Sequence, residues 1–350
     1  MSEIGGVRYD AVLAFFRANV PDAADVDALE FALIGDGRSN ITYRVSAGER
    51  SWVLRRPPLG NRLPTAHDMT REFRVISALA DSAVPVPRAL ALCEDPSVND
   101  EPFYVMQYTP GVIVGGGEQP AGFAEKPAER RAMSLALVDT LVALHAIDPD
   151  SVGLSGFGRP QGYVERQVRR WSQQWERSST GPLPEIDELM RRLQAALPES
   201  PAPAIVHGDY RLGNMALDPS DPSRVIALFD WEMATLGDPL ADLGYTLIYW
   251  ADPGEKIATQ MGVESGPGML TRSEIVSEYA QRSGRDVSAV DFYQVLALYK
   301  LAIISEGIYA RFVAGQTLGD KFKGTTRQTG ALARRALMIA DASADAKLRR

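Results

Sequence analysis

The sequence predicts an α+β protein with two lobes: a β-rich N-terminal lobe and a mainly helical C-terminal lobe that contains a small β hairpin. Short segments with apolar and polar residues in alternation dominate between residues 31 and 108. Helical spacing dominates from residue 128 onward, and one β island interrupts it between 204 and 229. The length of 350 residues is sufficient for two lobes. We therefore divide the chain into residues 1–108 and 109–350.

The first lobe opens with helical spacing over residues 9–19 and then changes to strand patterns. Strands are predicted over 31–34, 41–46, 51–55, 89–93 and 102–108. A turn rich in Gly and Asn, residues 35–40, separates the first two strands. One helix interrupts the sheet, starting at a cap provided by Thr65 or Asp68 and ending near Leu79.

The second lobe is predicted to be mostly helical. Its helices cover 128–147, 160–177, 185–197, 239–250, 272–283, 288–313 and 325–341. The β island comprises 204–206, 214–217 and 225–229, with a turn over 218–223 between the last two segments.

Charge and hydropathy exclude several partners. The net charge of −8 argues against a general nucleic-acid-binding surface, because phosphate contacts require clustered Lys and Arg. The chain does not start with a basic segment followed by an apolar one, so no secretory signal is expected. The apolar run 295–310 is interrupted by Lys300 and Glu306 and is too short for a membrane span. We expect a cytoplasmic protein with no nucleic-acid and no membrane partner.

The basic residues are distributed unevenly between two types. The chain has 31 Arg and 6 Lys, and its first lysine is Lys126. Any function that requires a cation in the first lobe must therefore use arginine.

The densest chemical signal is a pair of motifs around the β island. His207-Gly208-Asp209 is followed at residue 214 by Asn, and Asp230-Trp-Glu232 comes after the hairpin. Carboxylate and amide oxygens at the ends of adjacent strands suit Mg²⁺. An Asp within reach of an alcohol can accept its proton. This pattern assigns Asp209 as the base and Asn214 with Asp230 as the metal ligands.

These motifs resemble the catalytic segment of the aminoglycoside phosphotransferase and choline kinase-like family, relatives of the protein kinases. The strings at 54–58, 207–214 and 230–239 are similar to those of the branch associated with acyl-CoA dehydrogenases. The resemblance implies a bilobal protein-kinase-like fold with ATP and Mg as cofactors. It makes 1–108 the nucleotide-binding lobe and 109–350 the catalytic and acceptor-binding lobe. It also gives His207 and Asp242 structural roles that brace the catalytic loop.

Phosphate-contacting residues follow from the same template. The turn residues that would cover the phosphates are Gly35, Gly37, Ser39 and Asn40. This turn has only two of the three glycines of the kinase loop. Arg55 aligns with the kinase lysine, and Arg56 is the competing candidate.

Two further expectations complete the nucleotide side. Glu72 is either the partner of Arg55 or a solvent-facing helix charge. Gln107 and Tyr108 resemble the segment whose backbone binds adenine.

Acceptor residues are harder to derive. Arg166 and Arg170 share one helix face, which is either a solvated face or a site for an anionic acceptor. Glu232 is a candidate for touching the metal or the acceptor, with an indirect role as the alternative. Glu306 and Tyr309 are placed near the acceptor, and their spacing also fits an ordinary amphipathic helix.

The predicted function is transfer of the γ-phosphoryl group of ATP to a hydroxyl of a small molecule. The resembling branch suggests a hydroxyacyl or hydroxyacyl-CoA acceptor and a functional link to an acyl-CoA dehydrogenase. Two alternatives remain: an aminoglycoside-type antibiotic kinase, and a nucleotide-binding, non-catalytic partner of an acyl-CoA dehydrogenase.

Overall fold

The computed structural model describes residues 4–34, 40–59, 67–114, 120–252, 255, 266–314 and 327–350. Two compact units account for them. The first unit comprises Met1–Phe123, Asp150–Leu154 and Gly213–Ala234, and the second comprises Ala124–Pro149, Ser155–Leu212 and Thr235–Arg350. Because the chain returns to the first unit after residue 212, these units do not divide the sequence at one point. The division at residue 108 stays a prediction.

The first unit is built on a five-stranded antiparallel sheet in the order β1-β2-β3-β5-β4. Its elements are α1 (Tyr9–Asn19), β1 (Glu30–Ile34), β2 (Ile41–Ala47), β3 (Arg50–Arg56), α2 (Met69–Leu79), β4 (Ala89–Cys93) and β5 (Phe103–Gln107). Helix α1 supplies Phe16, whose ring packs edge-on against Trp52 of β3 with centroids 5.9 Å apart. The strands and the inserted helix lie within a few residues of the predicted ones.

Local polar contacts set the ends of two elements in this unit. Asp68 caps the start of α2: its carboxylate accepts a 3.0 Å hydrogen bond from the Arg71 N–H. The hairpin of β7 (Met215–Asp218) and β8 (Asp221–Leu228) has a shorter turn than predicted. The reason is that the Asp218 carboxylate accepts the Ser220 N–H at 2.8 Å and closes the turn over two residues.

The second unit is mainly helical. Its helices are α3 (Pro127–Ala146), α4 (Tyr163–Ser178), α5 (Pro184–Ala195), α6 (Leu240–Tyr249), α7 (Arg272–Ser283), α8 (Val290–Val313), α9 (Thr329–Ala342) and α10 (Ala346–Arg349). Strand β6 (Ala204–Val206) pairs antiparallel with β9 (Thr235–Gly237). The sequence did not predict β9, because three residues are too few to show a period. No described helix is long and apolar enough to cross a membrane.

Helices α6 and α8 pack closely at Gly244. A methyl group at this position would lie 2.6 Å from backbone and side-chain atoms of Tyr293. The close approach places Tyr245 of α6 next to Lys300 of α8, whose Nζ lies 4.6 Å from the centre of the Tyr245 ring. Packing of these two helices thereby positions side chains near the predicted catalytic loop.

Gly244→Ala should destabilise the protein by about 1–3 kcal/mol, because the added methyl meets helix backbone that cannot move aside. Urea-induced unfolding measures this change. Gly307→Ala on α8 is the matched control, since a methyl there meets its nearest neighbour, Ser178 Cβ, at 4.0 Å. The control should be neutral or stabilising by about 0.5–1 kcal/mol. Equal stabilities of Gly244→Ala and wild type would contradict the close α6–α8 packing.

Candidate active site

Two carboxylates of the first unit contact the guanidinium of Arg55 on β3. Arg55 Nε donates to Glu72 Oε2 at 2.9 Å, and its Nη2 donates to Glu72 Oε1 at 3.2 Å and also to the Asp230 carboxylate. Glu72 is 1% exposed, so it is not a solvent-facing helix charge. The Arg55–Glu72 ion pair predicted as one of two alternatives is present.

Arg56 points into a different environment. Its guanidinium donates to the carbonyl oxygens of Gly6 and Pro57, and the side chain is buried. Neighbouring residues of a strand face opposite sides of the sheet, which explains why Arg55 and Arg56 take different partners. Of the two arginines, Arg55 is the one that contacts the predicted site carboxylates.

Burial and charge together set the ionisation of this cluster. Burial alone would lower the pKa of Arg55, but the carboxylates of Glu72 and Asp230 raise it well above its ordinary value. Burial raises the pKa of Glu72 and outweighs the opposing effect of Arg55. Burial and the Glu72 charge also raise the pKa of Tyr104, whose hydroxyl donates to Glu72 Oε2 at 3.0 Å. Arg55 is therefore a permanent cation held by fixed acceptors.

Asp230 follows β8 in a left-handed backbone conformation, with φ of 66°. Such a conformation is uncommon for residues other than glycine and occurs often at functional sites. The next residue, Trp231, is buried and donates its indole N–H to the Leu228 carbonyl at 2.9 Å, which anchors the short 3₁₀ turn Trp231–Met233. The anchor fixes the carboxylates on either side of the tryptophan.

Three carboxylates of this unit lie close enough to share a cation. Oxygen atoms of Glu72, Asp230 and Glu232 lie within 4.8 Å of one another. The backbone oxygen of Asn214 accepts the N–H of Phe229 at 2.8 Å, so Asn214 lies beside the residue that precedes Asp230. A set of carboxylate and amide oxygens has the chemistry that Mg²⁺ prefers, and the residues present therefore fit this ion.

The structure places Asn40 differently from the phosphate loop that the sequence predicted. The side chain is 4% exposed, and its amide nitrogen donates to Glu232 Oε2 at 3.0 Å and to Glu72 Oε1 at 3.3 Å. Its oxygen accepts from His67 Nδ1 at 2.9 Å. A buried amide must satisfy its donors, and here two carboxylates do so. Gly35, Gly37 and Ser39 lie outside the described residues.

The predicted adenine segment lies at the end of β5. Gln107 has an exposed side chain, and its N–H donates to the Arg88 carbonyl at 2.8 Å. The ring of Tyr108 lies 4.5 Å from the Arg44 guanidinium carbon. Neither residue joins the Arg55 cluster, and their role at the base stays a prediction.

The second unit contains Asp209 on a loop held by Asp242. The fully buried Asp242 carboxylate accepts the N–H groups of His207 and Gly208, each at 2.7 Å. The N–H of Asp209 donates to His207 Nδ1 at 3.2 Å. These hydrogen bonds agree with the prediction that His207 and Asp242 hold the loop in place.

Asp242 also contacts His145, a buried histidine that the sequence analysis did not name. His145 Nε2 lies 3.3 Å from Asp242 Oδ2, and its Nδ1 lies 2.8 Å from the Tyr279 hydroxyl. Burial lowers the pKa of His145 despite the opposing charge of Asp242, so the ring is neutral at pH 7.

Two cations near Asp209 were also missed. Arg211 Nε lies 3.4 Å from Asp209 Oδ1, and its guanidinium carbon lies 5.2 Å from the Tyr249 ring centre. Lys300 Nζ donates to the Gly208 carbonyl at 3.0 Å. Both left a signal in the sequence: Arg211 follows Asp209 by two residues, and Lys300 is a charge inside an apolar helix.

The candidate acceptor residues of the second unit are scattered. Arg166 donates to the carbonyl oxygens of Arg159 and Gln161, which ties it to the start of its own helix. Arg170 is exposed and lies beside the neighbouring Trp171. Tyr309 is half-buried on α8.

Glu306 is enclosed rather than open to an acceptor. It is 0% exposed, and its carboxylate accepts from the Thr180 N–H at 2.9 Å, from Thr329 at 2.7 Å and from Arg327 at 2.8 Å. This environment joins α8 to the start of α9 and does not support the substrate contact predicted from the sequence.

Comparison with known proteins now identifies the family. Residues 30–274 match the model of a phosphotransferase enzyme family. The chain belongs to this family. It is 35% identical over 325 residues to acyl-CoA dehydrogenase family member 11 of Rattus norvegicus, covering 89% of this chain and 41% of that protein. It is 33% identical to family member 10 of Mus musculus, covering 87% of this chain and 28% of that protein. The chain thus spans less than half the length of these relatives.

Solved structures of aminoglycoside phosphotransferases share the fold of this chain. A protein from Ralstonia eutropha assigned to the aminoglycoside phosphotransferases is 31% identical, with a TM-score of 0.80 and coverage of 96% of this chain and 99% of that one. An aminoglycoside phosphotransferase in ternary complex with AMP-PNP and hygromycin B shares the fold at 15% identity and a TM-score of 0.60, covering 91% and 97% of the two chains. The predicted α+β kinase-like fold is confirmed, as is the resemblance to the family.

Glu306→Gln should change how stability depends on pH. Hydrogen bonds outweigh burial and lower the pKa of Glu306 to about 2, from an ordinary value of 4.5. The folded-state pKa is the lower one, so the stabilisation is complete above pH 4.5 and is lost as the pH falls toward 2. The variant should lose about 3 kcal/mol at pH 7 and progressively less below pH 4.5.

Unfolding by urea at several pH values measures this difference. Glu185→Gln, which removes a surface partner of Arg334, is the matched control and should cost about 0–1 kcal/mol. If Glu306→Gln lowered the free energy of unfolding by the same amount at pH 3 and pH 7, Glu306 would not have a lowered pKa in the folded protein.

Proposed function

We propose that this phosphotransferase uses ATP and Mg²⁺ to phosphorylate a hydroxyl of a small molecule, with a hydroxyacyl or hydroxyacyl-CoA compound as the acceptor. The observation that carries the proposal is the Arg55 cluster: a buried cation on β3 held by Glu72 of α2 and by Asp230. Protein kinases place a lysine and a glutamate in the same relation to orient phosphates, and their metal-binding aspartate corresponds to Asp230.

Asp209 acts as the base in this proposal. The acceptor oxygen forms a bond to the γ-phosphorus while the bond from that phosphorus to the bridging β-oxygen breaks, so ADP leaves. The proton of the acceptor hydroxyl passes to the Asp209 carboxylate. The hydrogen bonds that the His207 N–H donates to Asp242 and the Asp209 N–H donates to His207 Nδ1 keep the carboxylate in place before the acceptor arrives.

Asn214 and Asp230 would hold the magnesium ion, with Glu232 as a further carboxylate in reach of it. The ion neutralises negative charge on the phosphates when bound. Arg55 contacts the nucleotide phosphates through a guanidinium suited to paired oxygens. Arg55 contacts the Asp230 carboxylate, which is also a proposed metal ligand. We therefore expect binding of the nucleotide with its metal to break the Arg55–Asp230 contact and to leave the Arg55–Glu72 pair in place.

The acceptor class is supported by the curated relatives. They carry the name of acyl-CoA dehydrogenase family members, and this chain matches less than half of each. A functional link to an acyl-CoA dehydrogenase and a cytoplasmic location remain predictions. The Ralstonia eutropha neighbour favours an aminoglycoside acceptor as the second candidate.

ADP release from Mg·ATP in the presence of acceptors tests the proposal. The panel consists of hydroxyacyl-CoA compounds, free hydroxy acids and aminoglycosides. At least one hydroxyacyl compound should give turnover, and Asp209→Asn should reduce kcat by about 10²–10⁴-fold because the proton acceptor is lost. Asp221→Asn, at an exposed position of the β7–β8 hairpin, is the matched control and should leave turnover unchanged.

Turnover with aminoglycosides alone would replace the proposed acceptor by the second candidate. Absence of ADP above the Asp209→Asn level with all acceptors would favour the non-catalytic, nucleotide-binding alternative.

A further inference from the structure

We propose that Lys300 of α8 is a positioning residue that fixes the peptide group in front of Asp209. The proposal rests on the function proposed above, in which Asp209 is the base. It concerns a residue about 90 positions along the chain from the predicted catalytic loop, on a mostly apolar helix.

The peptide group between Gly208 and Asp209 is held at both of its polar atoms. Its oxygen accepts from Lys300 Nζ at 3.0 Å, and its N–H donates to His207 Nδ1 at 3.2 Å. The preceding N–H, that of Gly208, donates to Asp242 at 2.7 Å. Gly208 has a φ of +85°, a region that glycine enters without steric cost. Glycine permits the peptide to rotate, and Lys300 and His207 together select one orientation.

Lys300 is itself positioned by aromatic rings. Its Nζ lies 4.6 Å from the Tyr245 ring centre of α6 and 5.9 Å from the Trp171 ring centre of α4. Attraction between an ammonium group and ring faces is stronger where solvent is partly excluded, and Lys300 is half-buried. Helices α4, α6 and α8 therefore converge on one ammonium group that points at the loop carbonyl.

Rotation of this peptide would carry Asp209 with it. The Asp209 backbone follows directly from the held peptide, so a change there moves the carboxylate that receives the proton. A displacement of about 1 Å at a reacting group can cost about 100-fold in rate. The donor on Lys300 is thus expected to affect kcat rather than the binding of either substrate.

Lys300→Met tests this, since it keeps most of the side-chain length and removes the donor and the charge. We expect kcat to fall by about 30- to 100-fold, with the KM values for ATP and acceptor within about threefold of wild type. Lys300→Arg keeps a charged donor and should recover most of the loss. Lys347→Met, at an exposed position of α10, removes the same charge and should leave kcat unchanged.

Hydrogen exchange supplies a readout that does not need turnover. Amides of residues 205–212, measured by mass spectrometry, should exchange at least tenfold faster in Lys300→Met than in wild type or Lys347→Met. Lys300→Gln, which is shorter and polar, serves as a second variant if the methionine protein does not fold. It should show the same kcat loss and faster exchange.

The outcomes separate the two proposals. A wild-type protein without turnover would overturn the proposed function, while the exchange data would still decide whether Lys300 holds the loop. A raised KM for the acceptor at unchanged kcat would overturn the positioning role and make Lys300 a substrate contact. Unchanged kcat or unchanged exchange in a folded variant would also overturn it.

Discussion

The charge of Arg55 lies inside the first unit, where an unpaired cation would be very costly. Three separate parts of the chain must come together to satisfy it: β3 with Arg55, α2 with Glu72, and the turn after β8 with Asp230. Thr42, Tyr104 and Asn40 supply further bonds within the same network. The need to pair one guanidinium therefore fixes the position of the groups that the proposal assigns to phosphate and metal.

The second unit contains a buried anion, Asp242, whose charge must likewise be compensated by its neighbours. Asp242 contacts the N–H groups of His207 and Gly208 on one side and His145 on the other. These donors are mostly neutral, so the loop is held by dipoles whose orientation does not change when charge develops nearby. Lys300 adds a full positive charge through its hydrogen bond to the Gly208 carbonyl, and Arg211 adds a second one beside Asp209. A loop held by several hydrogen bonds suits the role of base that the proposed function gives to Asp209.

The sequence predicts most strands and helices to within a few residues, because periodicity is a local property of the chain, but it does not predict the three-residue strand β9. For the cation that replaces the kinase lysine, the sequence leaves Arg55 and Arg56 as competing candidates, and the contacts of Arg55 with Glu72 and Asp230 favour Arg55. The sequence assigns Glu306 to the acceptor and Asn40 to the phosphate loop, whereas both side chains are buried in hydrogen bonds. Their partners lie far away in the sequence, so no local pattern predicts these contacts. Lys300 and His145 were missed for the same reason: only the fold brings them to the loop or to Asp242.

Titration calorimetry of Mg·ATP with Arg55 variants tests the central claim most directly. Arg55→Met should weaken nucleotide binding by about 10- to 100-fold, because a charge-assisted contact to phosphate contributes about 1.5–3 kcal/mol. Arg55→Lys, which keeps the cation, should retain most of the affinity. Arg50→Met, on the exposed end of the same strand, should bind as wild type does. Wild-type affinity in a folded Arg55→Met protein would show that arginine has not taken the role of the kinase lysine.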